Sequence, residues 1–133
     1  MYRVLLAIDD NVDHARTQAE TIKQLSAQRV DTEIILLHVF TNNTSGASIG
    51  QIKAARTAED ELADIDGRVT MDETSGDPSE MILRYIENND INLICLGGRK
   101  RSPTGKALFG SVTQDVILGT DRPVLVCGGN SDT

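Results

Sequence analysis

Residues 93–117, LICLGGRKRSPTGKALFGSVTQDVI, decide the fold class of this chain. The apolar run Leu93–Leu96 predicts a buried strand, and the residues from Val112 onward predict a helix. Between them lies a glycine-rich, basic segment, Gly97–Ser111. Glycine allows a backbone to approach a phosphate closely, and the free amides at a helix N-terminus point toward an anion. We therefore predict that this segment forms an anion site, most simply for the phosphate of a nucleotide.

The charge of this segment contrasts with that of the whole chain. It contains four of the 13 Lys and Arg residues (Arg99, Lys100, Arg101 and Lys106), whereas the net charge of the chain is −7. The alternative interpretation of this cluster is a solvated surface loop. The acidic balance of the chain argues against general nucleic-acid binding, which requires a basic face.

Apolar and alternating runs elsewhere in the chain predict further strands and helices. Strands are expected at Tyr2–Ile8, Ile34–Val39, Arg68–Thr74, Asn92–Leu96 and Pro123–Cys127. Helices are expected between them, at about residues 15–25, 49–64, 77–86 and 110–118. Apolar spacings of three and four predict that the first helix buries Ala15, Ala19, Ile22 and Leu25. The third helix carries a start signal, with Asp77 as its cap, Pro78 at its first position and Glu80 completing a capping-box-like pair.

This order of elements predicts an α/β fold in a single domain covering residues 1–133. Apolar strands that alternate with helices indicate a five-stranded parallel sheet with helices on both faces. The third strand alternates polar and apolar residues, which is typical of an edge, so we expect the strand order 3-2-1-4-5. Ligands of such sheets bind where the strand order reverses, beyond the carboxyl ends of strands one and four. Asp9 and Gly97 follow those two strands.

The sequence also limits where the protein acts. No segment approaches the roughly 20 apolar residues of a membrane span. The chain enters its first strand directly, without an apolar leader, so we expect a cytoplasmic protein with no membrane partner. Cys95 and Cys127 lie in apolar runs without further metal ligands, and we expect them to be buried, reduced thiols.

Several familiar motifs are incomplete in this sequence. A Walker A loop requires Ser or Thr after its lysine, but Ala107 follows Lys106. A receiver domain would need a lysine at the end of its last strand, which is missing here. We expect His38 to be packed with one nitrogen hydrogen-bonded, and His14 to be solvated. Ser111 has no evident base nearby, so no catalytic triad is supported.

Nearly the whole chain resembles the universal stress protein family. The resemblance rests on Val4–Asp9, Leu36–Val39, Gly76–Pro78, Gly97–Ser111 and Pro123–Val126. Nucleotide-binding members of that family carry the motif G-x2-G-x9-G-[ST]. Gly97 matches its first glycine and Gly110–Ser111 match its last pair, while Lys100 replaces the second glycine.

The resemblance implies a cytoplasmic, homodimeric stress-response protein that binds ATP or AMP, with Mg²⁺ carried on the phosphates. Asp9 would contact the ribose or adenine, and the backbone of Val39 would bind the adenine edge. Gly97 would lie against the ribose and phosphates, and Gly110, Ser111 and Val112 would bind the β and γ phosphates. Arg99 and Lys100 complete the candidate site. We expect a sensor or regulator with little or no hydrolysis rather than an enzyme, because no general base is evident near the phosphates.

Lys100 leaves two functions open. Its side chain could obstruct the phosphates, or its ammonium could bind one of them. The alternative function is accordingly a nucleotide-free, dimeric interaction or regulatory module with unknown client proteins. In both cases the resemblance implies a dimer through the fifth strand, at Val124, Leu125 and Val126, which would cover an exposed apolar edge.

Overall fold

The computed structural model describes residues 1–26, 31–41, 47–65, 68–101 and 107–128, and gives only the backbone of residues 99–101, 107 and 108. The strands are β1 Tyr2–Ala7, β2 Thr32–Phe40, β3 Arg68–Ser75, β4 Leu93–Arg101, β5 Ala107–Leu108 and β6 Val124–Gly128. The helices are α1 Val12–Leu25, α2 Lys53–Glu61, α3 Pro78–Asn88 and α4 Ser111–Gly119, and a 3₁₀ turn covers Ile49–Gln51. None of the helices in these ranges is long and apolar enough to cross a membrane.

Five strands form a parallel sheet in the order β3-β2-β1-β4-β6. Because β6 is the fifth strand predicted from the sequence, the expected order 3-2-1-4-5 is confirmed. Leu6 of β1 pairs with Leu36 of β2 on one side and with Cys95 of β4 on the other. The strand order reverses between β1 and β4, as expected.

The sheet is covered on both faces. On one face α1 and α2 present small side chains that let the two helices lie close to each other and to the sheet: Ala15, Ala19, Ala54, Ala55 and Ala58. On the other face α3 and α4 contribute Ile82, Ile86 and Val116. With few aromatic residues available, aliphatic side chains form both cores.

The buried face of α1 differs from the prediction at two positions. Leu25 is 57% exposed, whereas the polar Gln18 is only 1% exposed. The Nε2 of Gln18 donates to the carbonyl oxygens of Ala7 (2.9 Å) and Cys95 (3.0 Å). These carbonyls lie near the switch point, where β1 has ended and β4 bends away, so a buried donor from the helix satisfies both acceptors.

The start of α3 follows the predicted signal. The Asp77 carboxylate accepts a hydrogen bond from the backbone nitrogen of Glu80 at 3.1 Å, and Pro78 occupies the first turn. The Glu80 carboxylate accepts instead from Arg84, at 2.9 Å. Only the first half of the expected capping box is therefore formed.

The described part of the glycine-rich segment contains strands where a loop was predicted. β4 continues to Arg101 and pairs antiparallel with β5, with Lys100 opposite Leu108. Opposite β6 the strand carries a bulge between Leu96 and Arg99, and Gly98 adopts a φ of +88° within it. A positive φ suits glycine, and the bulge bends the strand beside the sheet end.

The two cysteines lie on neighbouring strands, as the apolar runs predicted. Their sulfur atoms are 3.5 Å apart and hydrogen-bonded, and both residues are buried. The hydrogen bond with Cys127 and burial raise the pKa of the Cys95 thiol. Because the thiolate is the reactive form, this pair is chemically protected. The prediction that both thiols are buried is confirmed.

Candidate functional site

Two adjoining cavities lie beyond the carboxyl ends of β1 and β4. The inner cavity, about 430 Å³, lies between the ends of β1 and β2 and the starts of α3 and α4. The outer cavity, about 500 Å³, lies between the β4 bulge and the N-terminus of α4. Both are lined by Asp9, Gly97, Val112 and Thr113. A single ligand could therefore extend from one cavity into the other.

The inner cavity has apolar walls with a few polar groups. Its apolar lining includes Ile8, Phe40, Ile52, Ile82 and Leu96. Polar groups come from Asp10, His38 and Thr41, in addition to the shared residues. A flat aromatic ring held by a few fixed hydrogen bonds suits such a lining.

An extension of β2 supplies the backbone edge of the inner cavity. The backbone nitrogen of Ile8 donates to the carbonyl oxygen of Leu37 at 2.8 Å, so the backbone of Leu37 faces β1. Backbone polar groups alternate in direction along a strand, and those of Val39 therefore face the same side. The last β2 residue paired with β1 is Leu37, whereas the pairing of β2 with β3 continues to Phe40. The N–H and C=O of Val39 thus face the cavity instead of a neighbouring strand.

His38 closes the end of β1. Its Nδ1 lies 2.7 Å from the carbonyl oxygen of Ile8, which makes Nδ1 the donor. Its ring packs edge-on against Phe40, and the residue is 6% exposed. Its Nε2 lies 3.8 Å from the Asp10 carboxylate at the cavity wall. The predicted packed, hydrogen-bonded histidine is confirmed.

The outer cavity combines two glycines with different reasons for being glycine. A Cβ on Gly97 would lie 2.9 Å from the Oε1 of Gln18, so close packing of α1 excludes a side chain there. A Cβ on Gly110 would meet nothing within 4 Å. Gly110 precedes α4 and provides no side-chain cap. The first amides of α4, beginning at Ser111, are therefore open to an anion in this cavity.

Asp9 stands where the two cavities meet. Its Oδ1 accepts from the backbone nitrogen of Asn11 and its Oδ2 contacts the Nδ1 of His14, both at 2.9 Å. Asn11 in turn caps α1, accepting from the backbone nitrogen of His14 at 3.0 Å. The expectation of a solvated His14 is wrong, because its side chain is 17% exposed and held by Asp9. Asp9 and His14 are five residues apart, a spacing that matches no sequence motif, because their contact depends on how the chain turns between β1 and α1.

Most of the predicted site residues lie around these cavities. Six of the eight line one or both of them: Asp9, Val39, Gly97, Gly110, Ser111 and Val112. The backbones of Arg99 and Lys100 belong to β4, but their side chains fall outside the described part of the structure, as does all of Lys106. The sequence-based prediction missed other lining residues, among them Asp10, His14, Gly98 and Thr113. The ligand contacts themselves remain predictions.

Acidic and basic side chains near the cavities form no metal cluster in the part of the chain described. Across the described ranges, no group of three or more His, Cys, Asp and Glu residues is arranged to hold a metal ion. The Asp9 carboxylate also has one partner on each of its oxygens.

Comparison with known proteins gives a consistent result. The family model described as the universal stress protein family matches residues 1–128. A universal stress protein of Mycolicibacterium smegmatis is 31% identical over 110 residues, which cover 74% of this chain and 78% of that protein.

Solved structures share the fold over almost the entire chain. A universal stress protein from Archaeoglobus fulgidus superposes with a TM-score of 0.76 at 25% identity, covering 96% of this chain and 98% of that one. The universal stress protein from Archaeoglobus fulgidus in complex with dAMP superposes with a TM-score of 0.71 at 19% identity and with the same coverage. A family protein from Arabidopsis thaliana with AMP bound gives 0.71 at 16% identity, covering 99% of this chain and 94% of that one.

Proposed function

This chain belongs to the universal stress protein family, and from that premise we propose that it binds an adenine nucleotide, AMP or ATP, across the inner and outer cavities. The observation that carries the proposal is the junction at Asp9. At this one carboxylate the inner cavity, which is apolar and has a free backbone edge, meets the outer cavity, which lies at an open helix N-terminus. An aromatic base, a sugar and a phosphate occur in the same order in a nucleotide.

The base enters the inner cavity in this arrangement. Adenine offers a donor and an acceptor along one edge, which complement the C=O and N–H of Val39. The apolar walls, such as Ile52 and Ile82, cover its faces. The carboxylate of Asp9 then accepts from a ribose hydroxyl, because each of its oxygens retains a lone pair beside its present partner.

The phosphates enter the outer cavity. The Gly97–Gly98 bulge brings backbone close to them, while the first amides of α4 and the hydroxyl of Ser111 donate to their oxygens. AMP is the first ligand to test, because one similar structure contains dAMP and another contains AMP. With ATP, an accompanying Mg²⁺ would be held by the phosphates rather than by a carboxylate cluster of the described residues.

The role that fits this binding site is that of a cytoplasmic sensor or regulator with little or no hydrolysis. Around the outer cavity, the described carboxylate is Asp9, which contacts Asn11 and His14 and which this arrangement assigns to the ribose. A homodimer through β6 belongs to the same proposal. In the described part of the sheet β6 pairs only with β4, and Val124, Leu125 and Val126 are partly exposed.

Substitution of Asp9 tests the proposed ribose contact. We expect Asp9→Ala to weaken AMP binding at least tenfold, because it removes a charged hydrogen-bond acceptor at the junction. Asp13→Ala is the matched control, since Asp13 lies in the same segment but pairs with Arg16 (3.1 Å) and lines neither cavity. Calorimetric titration measures both affinities, and thermal unfolding confirms that both variants fold. Equal affinities of the two variants would contradict the arrangement.

A further inference from the structure

His14 lies beside Asp9 on the wall of the outer cavity, and the motif that led to the site does not include it. We propose that His14 binds the phosphate of the nucleotide and takes up a proton as it does so. This inference rests on the proposed function. It makes nucleotide binding by this chain depend on pH through one imidazole.

The contact with Asp9 determines which nitrogen of His14 carries hydrogen. The Nδ1 of His14 lies 2.9 Å from the Oδ2 of Asp9, and an ionised carboxylate only accepts hydrogen bonds. Nδ1 is therefore the donor, and in the neutral ring Nε2 carries no hydrogen. Among the described residues, no hydrogen bond is made to this Nε2.

The His14 ring is held over the β4 bulge. The Cε1 of His14 lies 3.3 Å, and its Nε2 3.8 Å, from the position that a Cβ on Gly98 would occupy. The ring thus packs over the bulge while the bond to Asp9 fixes its other side. The outer cavity has this ring on one side and Gly110 and Ser111 on the other. A phosphate bound at the α4 N-terminus would lie between them.

Binding of a phosphate would change the charge of the His14 ring. Phosphate oxygens accept hydrogen bonds, so a contact with Nε2 requires a proton on that nitrogen. The resulting imidazolium would lie between the Asp9 carboxylate and the phosphate, and two flanking anions favour the charged ring. Histidine is the side chain that ordinarily changes charge between pH 5 and 8. Proton uptake on binding follows.

The charged groups around His14 come from few elements. From the segment before α1, Asp9 is the direct partner, whereas Asp10 lies 3.8 Å from His38 and Asp13 pairs with Arg16. From β4 the ring meets the glycine bulge, and from α4 the cavity presents the uncharged Ser111 and Thr113. The side chains of Arg99 and Lys100 fall outside the described residues.

The test is calorimetric titration of AMP and of adenosine at one pH, about 7.5, in buffers of different ionisation enthalpy. The dependence of the heat on the buffer gives the number of protons taken up. For AMP we expect proton uptake with the unmodified chain. Adenosine lacks the phosphate, so we expect an uptake near zero for it.

Two variants separate the roles of the two ring nitrogens. In His14→Asn the amide nitrogen can replace Nδ1 as donor to Asp9, but nothing replaces Nε2. We expect this variant to lose the proton uptake, to bind AMP about tenfold more weakly and to bind adenosine unchanged. In His14→Gln the amide reaches the place of Nε2, so affinity for AMP should be partly restored without proton uptake.

Each result distinguishes the inference from the function on which it rests. AMP binding with the same proton uptake in His14→Asn would overturn the inference while leaving nucleotide binding intact. An equal loss of AMP and adenosine affinity would also overturn it, because His14 would then act through Asp9 or the ribose. If neither ligand binds the unmodified chain, the proposed function fails and the inference fails with it.

Discussion

At the scale of single residues, Gln18 shows how a polar side chain can be part of the core. The apolar spacing of α1 favours Leu25 as a buried position, yet the helix turns Gln18 inward to satisfy two strand-end carbonyls. Periodicity alone does not predict this, because the demand comes from Ala7 and Cys95, which are brought together only by the folded sheet. The prediction failed where backbone satisfaction outweighed the apolar pattern.

This contrast gives a stability prediction. We expect Gln18→Leu to lower the free energy of unfolding by about 2–4 kcal/mol, because it leaves two strand-end carbonyls without their donor. The reciprocal substitution Leu25→Gln is the matched control. It should change the free energy of unfolding by less than about 0.5 kcal/mol, because Leu25 is exposed. Urea unfolding monitored by circular dichroism measures both. A Gln18→Leu variant as stable as the unmodified chain would contradict the role given to this amide.

At the scale of elements, the extension of β2 past β1 creates the base-binding edge of the proposed site. The apolar run predicted Ile34–Val39, and the strand covers Thr32–Phe40: Thr32 pairs with Tyr2 of β1, and Phe40 is included because the pairing with β3 continues after β1 has ended. The antiparallel pairing of β4 with β5 was also missed, since glycine and charged residues are weak strand formers by themselves. Strand existence followed from the apolar runs, whereas strand length depends on neighbours that are distant in the sequence.

The β2 extension predicts discrimination between purine bases. The N–H and C=O of Val39 complement the acceptor and donor of adenine, whereas hypoxanthine reverses both groups. We therefore expect inosine monophosphate to bind about 100-fold more weakly than AMP, since both backbone groups would be left unpaired. dAMP, which keeps the adenine base, serves as the control and should bind within about tenfold of AMP. Competitive titration measures the three affinities, and equal binding of AMP and inosine monophosphate would exclude the proposed adenine edge.

At the scale of the whole molecule, the alternation of strands and helices was sufficient to predict the topology. Apolar central strands, an alternating edge strand and right-handed crossovers leave few strand orders, and the observed one follows. The same topology brings Asp9 and Gly97, distant in sequence, to one cleft. The contact of His14 with Asp9 could not be predicted from the sequence, because it depends on the local path of the chain between β1 and α1.

The proposed dimer is tested at the β6 edge. Leu125 packs against the core, so a charge there could unfold the chain, whereas Val126 does not belong to either buried cluster. We expect Val126→Lys to weaken dimerisation at least tenfold, because lysine on an edge strand opposes strand pairing. Thr70→Lys on β3, at the opposite edge, is the control and should leave the dimer intact. Sedimentation velocity measures the distribution, and a dimer unchanged by Val126→Lys would exclude this interface.

The central claim is that the two cavities bind one adenine nucleotide. Calorimetric titration of AMP into the purified protein, at physiological and at high salt, tests it most directly. We predict that each chain binds one nucleotide with a dissociation constant in the micromolar range, which corresponds to a binding free energy of about −8 kcal/mol. An absence of both binding heat and thermal stabilisation with AMP and with ATP would contradict it, and would favour the nucleotide-free interaction module instead.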